Sequence, residues 1–296
     1  MRQLPPPDEI AINIKTLTEE ETGKYVQDVL GIQSLSFCRN DVPEVVLGSR
    51  SPRRELILGN LLGITHKCLV LDVNEHLPEQ KYPPEVISKC LTLQKLIVYL
   101  KNRKKVIEKG NVLIVSDTIV IGKNGEIMGK EPDNLRTEEE KYKFCYKRIM
   151  NLMGNRTAVF SSVAVADLRE GKILVGCDSV IIHFKPVSKA GVKIVERYCG
   201  YVYDKEMIKK HRGPLGKAGS FGIQEPEILC LVKKVKGDIT VAVGLPADLT
   251  LRFLNLLHGF RLPARYDGEH CINTVFANAI IDKEYGKKNL REIFLK

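Results

Sequence analysis

Tryptophan is absent, and aromatic residues make up only 6% of the 296-residue chain. No uninterrupted apolar run approaches the roughly 20 residues a bilayer-spanning helix requires. The opening MRQLPPPDEI carries an early arginine but no apolar core, which argues against a secretory signal peptide. No Cys-x-x-Cys pair occurs among the eight cysteines, and those residues are scattered. Buried reduced thiols in a reducing compartment, the cytoplasm, are therefore expected. There is no internal repeat. The basic runs KNRKK (101–105) and Lys141–Lys147 both fall in expected helices, where a solvated helix face is the ordinary reading, and no RNA-stacking platform is expected. Neither nucleic acid nor membrane is expected as a partner.

The remaining composition is that of an ordinary globular chain: 44% hydrophobic, 28% charged, with a formal net charge of +10. That surplus suggests a polyanionic partner. Residues 1–42 read as an extension, with one candidate amphipathic helix in TEEETGKYVQDVLGI, and they are acidic. Residues 43–260 read as the main folded domain, and 261–296 as a second extension.

Within the central region, apolar runs alternate with amphipathic stretches. EVVLGS reads as a buried strand and PRRELILGNLLG as a helix with proline near its start and glycine at its end. HKCLVLDV reads as a strand, and PPEVISKCLTLQKLIVYLKNRKKVIEKG as one long helix. NVLIVSDTIVIGKNGEIMG reads as a strand and hairpin turning at Asn124-Gly125. Thr137 and Glu140 form a capping box at the next helix. A second hairpin turns at Glu170-Gly171, and Ser188 starts another helix. EILCLVKKVKGD reads as strand and turn, and PADLTLRFLNLLHG as a helix. Crossovers mixed with hairpins imply an α/β protein with a mixed sheet.

Four places carry candidate chemistry. Gly48-Ser49-Arg50-Ser51-Pro52-Arg53-Arg54 lies between a strand and a helix start, where backbone N–H groups, two hydroxyls and guanidinium groups suit an anion. Taken alone it reads equally as a capped helix with solvated arginines. Asp117, in LIVSDTIVIG, is expected at the C-terminal end of an apolar strand, where a carboxylate is costly unless paired or functional. It reads either as a metal ligand or general base, or as a buried capping residue. Glu75, in DVNEHL, lies beyond another strand, with Asp72 as a competitor and His76 beside it. PLGKAGSFGIQ (214–224) is a glycine-rich loop flanked by Lys217 and Gln224; Ala218 after the lysine departs from a P-loop. Lys95, on an apolar helix face, and Lys130, in MGKEPD, complete the set.

In order, LGSRSPRREL, DVNEHL, QKL, SDTIV, MGKEPD, GKAGSFGIQ and VAVGLPADL resemble the Maf family of nucleoside triphosphate pyrophosphatases, related in fold to the inosine triphosphatases. The resemblance spans roughly residues 44–258. It implies a long mixed β-sheet flanked by helices, in two lobes with a central cleft. It implies hydrolysis of a nucleoside triphosphate to the monophosphate and pyrophosphate with Mg²⁺ or Mn²⁺, and a homodimer. Carried over by motif, Ser49, Ser51, Arg53 and Arg54 form the phosphate loop, with Lys130 and Lys217 also on the phosphates. Asp117, Glu75 and Lys95 become catalytic, with Glu75 and Asp117 holding the metal. Ser116 replaces the family's usual alanine, Glu131 separates Lys130 from Pro132, and Thr157 stands where many members have histidine. Arg53, Thr118 and Gln224 match members acting on dTTP and UTP, whereas members acting on 7-methyl-GTP tend to show Trp, Gln and Glu at those places. Glu225 follows the glutamine where glycine is common, so its carboxylate competes with the Gln224 amide for the base. The competing class is a nucleotide- or nucleic-acid-binding regulator without turnover.

Overall fold

The structure is a computed structural model, and it describes residues 44–73 and 82–258. The candidate helix near the N-terminus, both proposed extensions, Glu75 and His76 lie outside the described residues.

A six-stranded mixed sheet organises the chain, in the order β2-β1-β3-β4-β5-β6. β1 (Val45–Gly48) is followed by helix α1 (Pro52–Glu55), which widens into a π-helical segment over Leu56–Leu61. β2 (His66–Leu69) forms the edge, parallel to β1. α2 (Pro84–Lys101) and the short α3 (Arg103–Ile107) cross over to β3 (Val112–Ile121), which is parallel to β1. After α4 (Glu138–Leu152), β4 (Arg156–Asp167) and β5 (Lys172–Phe184) form the antiparallel hairpin beside β3. α5 (Lys189–Gly200), α6 (Lys205–Lys209) and α7 (Pro226–Leu231) precede β6 (Val232–Lys236), antiparallel to β5. α8 (Ile239–Val243) and α9 (Ala247–His258) follow.

Strand periodicity divides the core between the two sheet faces. Val45, Leu47, Val112 and Ile114 join the larger cluster, with Leu58 and Leu61 of the π segment. Val46, Leu113 and Val115 join the other, with Leu96, Tyr99 and Leu100 of α2. The capping box at α4 forms as expected: Thr137 accepts from the Glu140 N–H, and Glu140 accepts from the Thr137 N–H. Ser188 likewise caps α5 through the Gly191 N–H.

Three expectations are corrected. The single helix expected through residues 83–110 breaks at Asn102, whose backbone leaves the helical region and whose side-chain amide donates to the Val98 carbonyl. The expected strand EILCLVKKVKGD begins as helix α7, because Pro226 sets a helical first turn and Ile228 and Leu231 bury at i, i+3 spacing. Asp117 lies in the middle of a ten-residue strand, not at its end. Among the described residues the cysteines are free thiols. No helix there is long and apolar enough to cross a membrane.

Candidate active site

The position of Asp117 follows from unequal strand lengths. β1 pairs with β3 only from Val45↔Val112 to Leu47↔Ile114. β3 then continues past the carboxyl end of β1 while remaining paired to β4, with Asp117 opposite Ser162. At that point its apolar run gives way to Ser116, Asp117 and Thr118. Alternation turns Asp117 toward α2 and the other two toward α1 and α8. A cavity of about 420 Å³ opens there, within the usual range of small-molecule sites. Its lining includes Ser49, Ser51, Arg53, Arg54, Lys95, Asp117, Thr118, Lys130 and Lys217.

α2 is fixed on the sheet by a buried hydroxyl cluster. Ser88 and Thr92 each meet the Ser162 hydroxyl, at 2.9 and 2.5 Å, and Ser162 Oγ donates to the Ser88 carbonyl. Lys95, one turn after Thr92, thereby reaches Asp117, and its ammonium pairs with Oδ1. It also donates to the Ser116 carbonyl at 3.4 Å. The side chains of this pair are only 13% and 11% exposed, so the pair is not a solvated surface contact. Gly48 permits the approach of α2, since a Cβ there would meet the Tyr99 ring at 2.8 Å and Val115 at 2.7 Å.

Arg54 is held in place by three directions of its planar fork. Nε donates to the Gly244 carbonyl at 2.7 Å, Nη2 to Thr118 Oγ1 at 3.2 Å, and Nη1 reaches Ser49 Oγ at 3.5 Å. Ser116 donates to the same Gly244 carbonyl at 2.9 Å. Gly244 has φ of 119°, a conformation that favours glycine, and it caps α8. Ser49 Oγ also accepts from the Ser51 N–H, which tightens the loop. Burial pulls the Arg53 guanidinium below its usual range, with Glu225 and Tyr198 opposing. Arg50 and Asp72 form an exposed ion pair at the rim. Lys130 lines the cavity and is exposed. The neighbouring Glu131 accepts from the Gly216 N–H at 2.9 Å, so the residue between Lys130 and Pro132 ties this segment to the glycine-rich loop.

Lys217 and Glu225 are placed differently from the sequence expectation. The Lys217 ammonium is turned into the protein: it meets Glu225 Oε1 at 2.5 Å, the His211 carbonyl at 3.0 Å and the Gly213 carbonyl. Its three protons thus have three acceptors, leaving none for a phosphate in this arrangement. Burial pulls it below the usual lysine range, while Glu225 pulls it upward. The second oxygen of Glu225 accepts from the Gly213 N–H at 2.7 Å. The carboxylate that competed with Gln224 for the base is therefore occupied inside the loop. Of the three specificity candidates, Arg53 and Thr118 line the cavity and Gln224 does not. The Thr118 hydroxyl is engaged with Arg54 and, at 2.7 Å, with Ser161. Gln224 is buried, and its Oε1 has no hydrogen-bond partner. Thr157 donates to the Ile121 carbonyl at 2.6 Å, a sheet contact away from the cavity.

The sequence reading missed the Gly244 carbonyl, which organises Arg54 and Ser116 from more than 120 residues away in the chain. VAVGLPADL marks its position but not its role. His211, with φ of 55°, also lines the cavity.

A cationic cleft beyond the carboxyl ends of parallel strands, with the buried, paired Asp117 carboxylate in its wall, defines an α/β protein built to bind a phosphorylated ligand. More particularly, the chain belongs to the Maf family: the family model described as Maf-like protein matches residues 44–257. A dTTP/UTP pyrophosphatase of Dictyoglomus turgidum is 30% identical over 226 residues, covering 73% of this chain and 96% of the relative. The dTTP/UTP pyrophosphatase of Bacillus velezensis is 32% identical over 210 residues, covering 71% and 94%. A solved nucleoside-triphosphatase / dITP/XTP pyrophosphatase from Mycobacterium abscessus overlaps 48% of this chain and 72% of its own. The TM-score is 0.28 at 15% identity, too little overlap to bear on fold or activity.

Proposed function

We infer that this chain is a nucleoside triphosphate pyrophosphatase, releasing a monophosphate and pyrophosphate, with dTTP and UTP as preferred substrates. The observation that carries the reading is the meeting of the Asp117–Lys95 pair with the Ser49–Arg54 loop in one cleft, in a chain whose Maf relatives bear the name dTTP/UTP pyrophosphatase.

Arg53, Arg54 and Lys130 surround the polyphosphate, and Ser49 and Ser51 add hydroxyl donors. Lys95 fixes the Asp117 carboxylate through Oδ1. Oδ2 then takes a proton from a water whose oxygen attacks the α-phosphorus, and the bridging oxygen leaves with pyrophosphate. The residues present fit a hard divalent cation such as Mg²⁺ or Mn²⁺. Asp117 offers carboxylate oxygen, and such ions are commonly held by one or two carboxylates together with substrate phosphates. Glu75 is the second carboxylate proposed for it. When bound, the cation supplies positive charge against the phosphate oxygens.

The preference for uracil and thymine rests on donors. Their O2 and O4 accept hydrogen bonds, which an arginine supplies. A 7-methylguanine is cationic, best stacked on an aromatic ring, and Arg53 repels it. Thr118 contributes by holding Arg54, whereas Gln224, which does not line the cavity, makes no contact with the base in this arrangement.

Pyrophosphate release from a panel of nucleoside triphosphates, with Mg²⁺ and with EDTA, tests the activity. Release from none of them, with nucleotide binding retained, would establish the regulator reading instead. Among substrates, kcat/KM is expected to favour UTP and dTTP over 7-methyl-GTP, and a clear win for the methylated nucleotide overturns the preference alone. Arg54→Ala is expected to lower kcat/KM by on the order of 10- to 10²-fold, matching roughly 1.5–3 kcal/mol for a charge-assisted hydrogen bond. Arg54→Lys should recover little, because a point charge cannot span Gly244, Thr118 and Ser49 together. Wild-type kinetics in the alanine variant would remove Arg54 from the site.

A further inference from the structure

Away from the cleft, Glu55, His66 and Cys68 bring a carboxylate oxygen, an imidazole nitrogen and a thiol within 4.8 Å of one another. None of the three lines the catalytic cavity. The juxtaposition follows from the fold. His66 and Cys68 alternate with Lys67 on the edge strand β2, opposite Val45 and Leu47 of β1. Those β1 residues pack toward the π segment, so the two ligand side chains share the face over which α1 runs. Glu55 is the last residue of α1, directly before the π segment.

The histidine is oriented as metal-binding histidines usually are. Its Nδ1 lies 2.9 Å from the Ile64 carbonyl, which fixes a proton on that nitrogen and leaves Nε2 with its lone pair. A Cβ on Gly59 would stand 3.1 Å from His66 Cε1, so this glycine lets the ring lie close against the π segment. Glu55 and Cys68 are exposed and His66 is half-buried, so an ion has access from solvent.

We propose that Glu55, His66 and Cys68 form a zinc site that links α1 to the edge strand β2 and is separate from the catalytic cleft. Thiolate, imidazole and carboxylate suit Zn²⁺, and Mg²⁺ prefers oxygen alone. Three protein ligands leave a fourth position for water. Binding releases the thiol proton to solvent, since the thiolate is the ligand.

The test is a titration of the full chain with Co²⁺, a spectroscopic substitute for Zn²⁺. One equivalent is expected to produce a thiolate-to-cobalt charge-transfer band that Zn²⁺ displaces and excess Mg²⁺ does not. Cys68→Ser should abolish the band. His66→Gln and Glu55→Gln should each weaken binding by more than about tenfold, at least the scale of losing an outer-shell partner. All three variants should keep wild-type pyrophosphate release in Mg²⁺. Absence of the band in the wild type, or its persistence in Cys68→Ser, overturns the proposal. If Cys68→Ser does not fold, Glu55→Gln at an exposed helix end decides: unchanged cobalt affinity there overturns it equally.

Discussion

Replacing Asp117 with asparagine is expected to lower turnover by about 10²-fold or more, the usual scale for a positioned base. The substitution keeps the shape of the side chain but removes its charge and its capacity to take a proton. It acts where β3 has outrun β1, so a water and a phosphate can reach the side chain from the cleft. The loss should fall on kcat more than on KM, because the phosphate-binding arginines are untouched. Lys95 is left facing a neutral amide, so thermal unfolding must be measured beside the kinetics. A folded Asp117→Asn protein with near wild-type turnover would remove Asp117 from the chemistry.

Glu225→Ala is expected to destabilise the fold by about 3–5 kcal/mol, the cost of leaving one partner of a buried ion pair alone. Glu225 is 1% exposed and Lys217 is 3% exposed. The alanine variant leaves the Lys217 ammonium with two carbonyls, and the Gly213 N–H without its carboxylate. Adding Lys217→Met in the same chain should restore part of the loss, since it removes the unpaired buried charge, while the volume vacated by Glu225 and the unpaired Gly213 N–H keep the double variant below wild type. Denaturant unfolding of the two single variants and the double variant measures this. A Glu225→Ala midpoint equal to wild type would show that the pair does not hold the loop.

Much of the framework was legible in the residues. Apolar runs bounded by turn residues located β1, β3 and the β4–β5 hairpin, because burial on one or both faces leaves a period that sequence records. Caps at Thr137 and Ser188 were legible for a similar reason: the hydrogen bond runs to an N–H only three residues away. The same local reasoning failed for residues 226–231, where a short apolar run fits strand and helix equally and Pro226 decides the matter. It also failed at Asn102, where a side chain competes with the backbone for a helical carbonyl.

The site divides along the same line. The resemblance of the ordered motifs to the Maf family identified Ser49, Ser51, Arg53, Arg54, Lys95, Asp117, Thr118 and Lys130 as a set, and the structure brings these around one cleft. Charge signs and motif order are properties of the chain itself, and they need no fold to be read. Which charges face a ligand and which face each other was decided only by tertiary packing. Lys217 looked like a phosphate ligand until Glu225 and two carbonyls enclosed it. Glu225 looked like a rival for the base until Gly213 and Lys217 engaged it. The partners that decide these roles come from different loops, and Gly244 reaches Arg54 from 190 residues away. Hydrogen bonds are short-ranged, so a side chain's role depends on which atoms lie within about 3 Å of it. Residue order cannot specify that distance until the sheet has brought distant segments together.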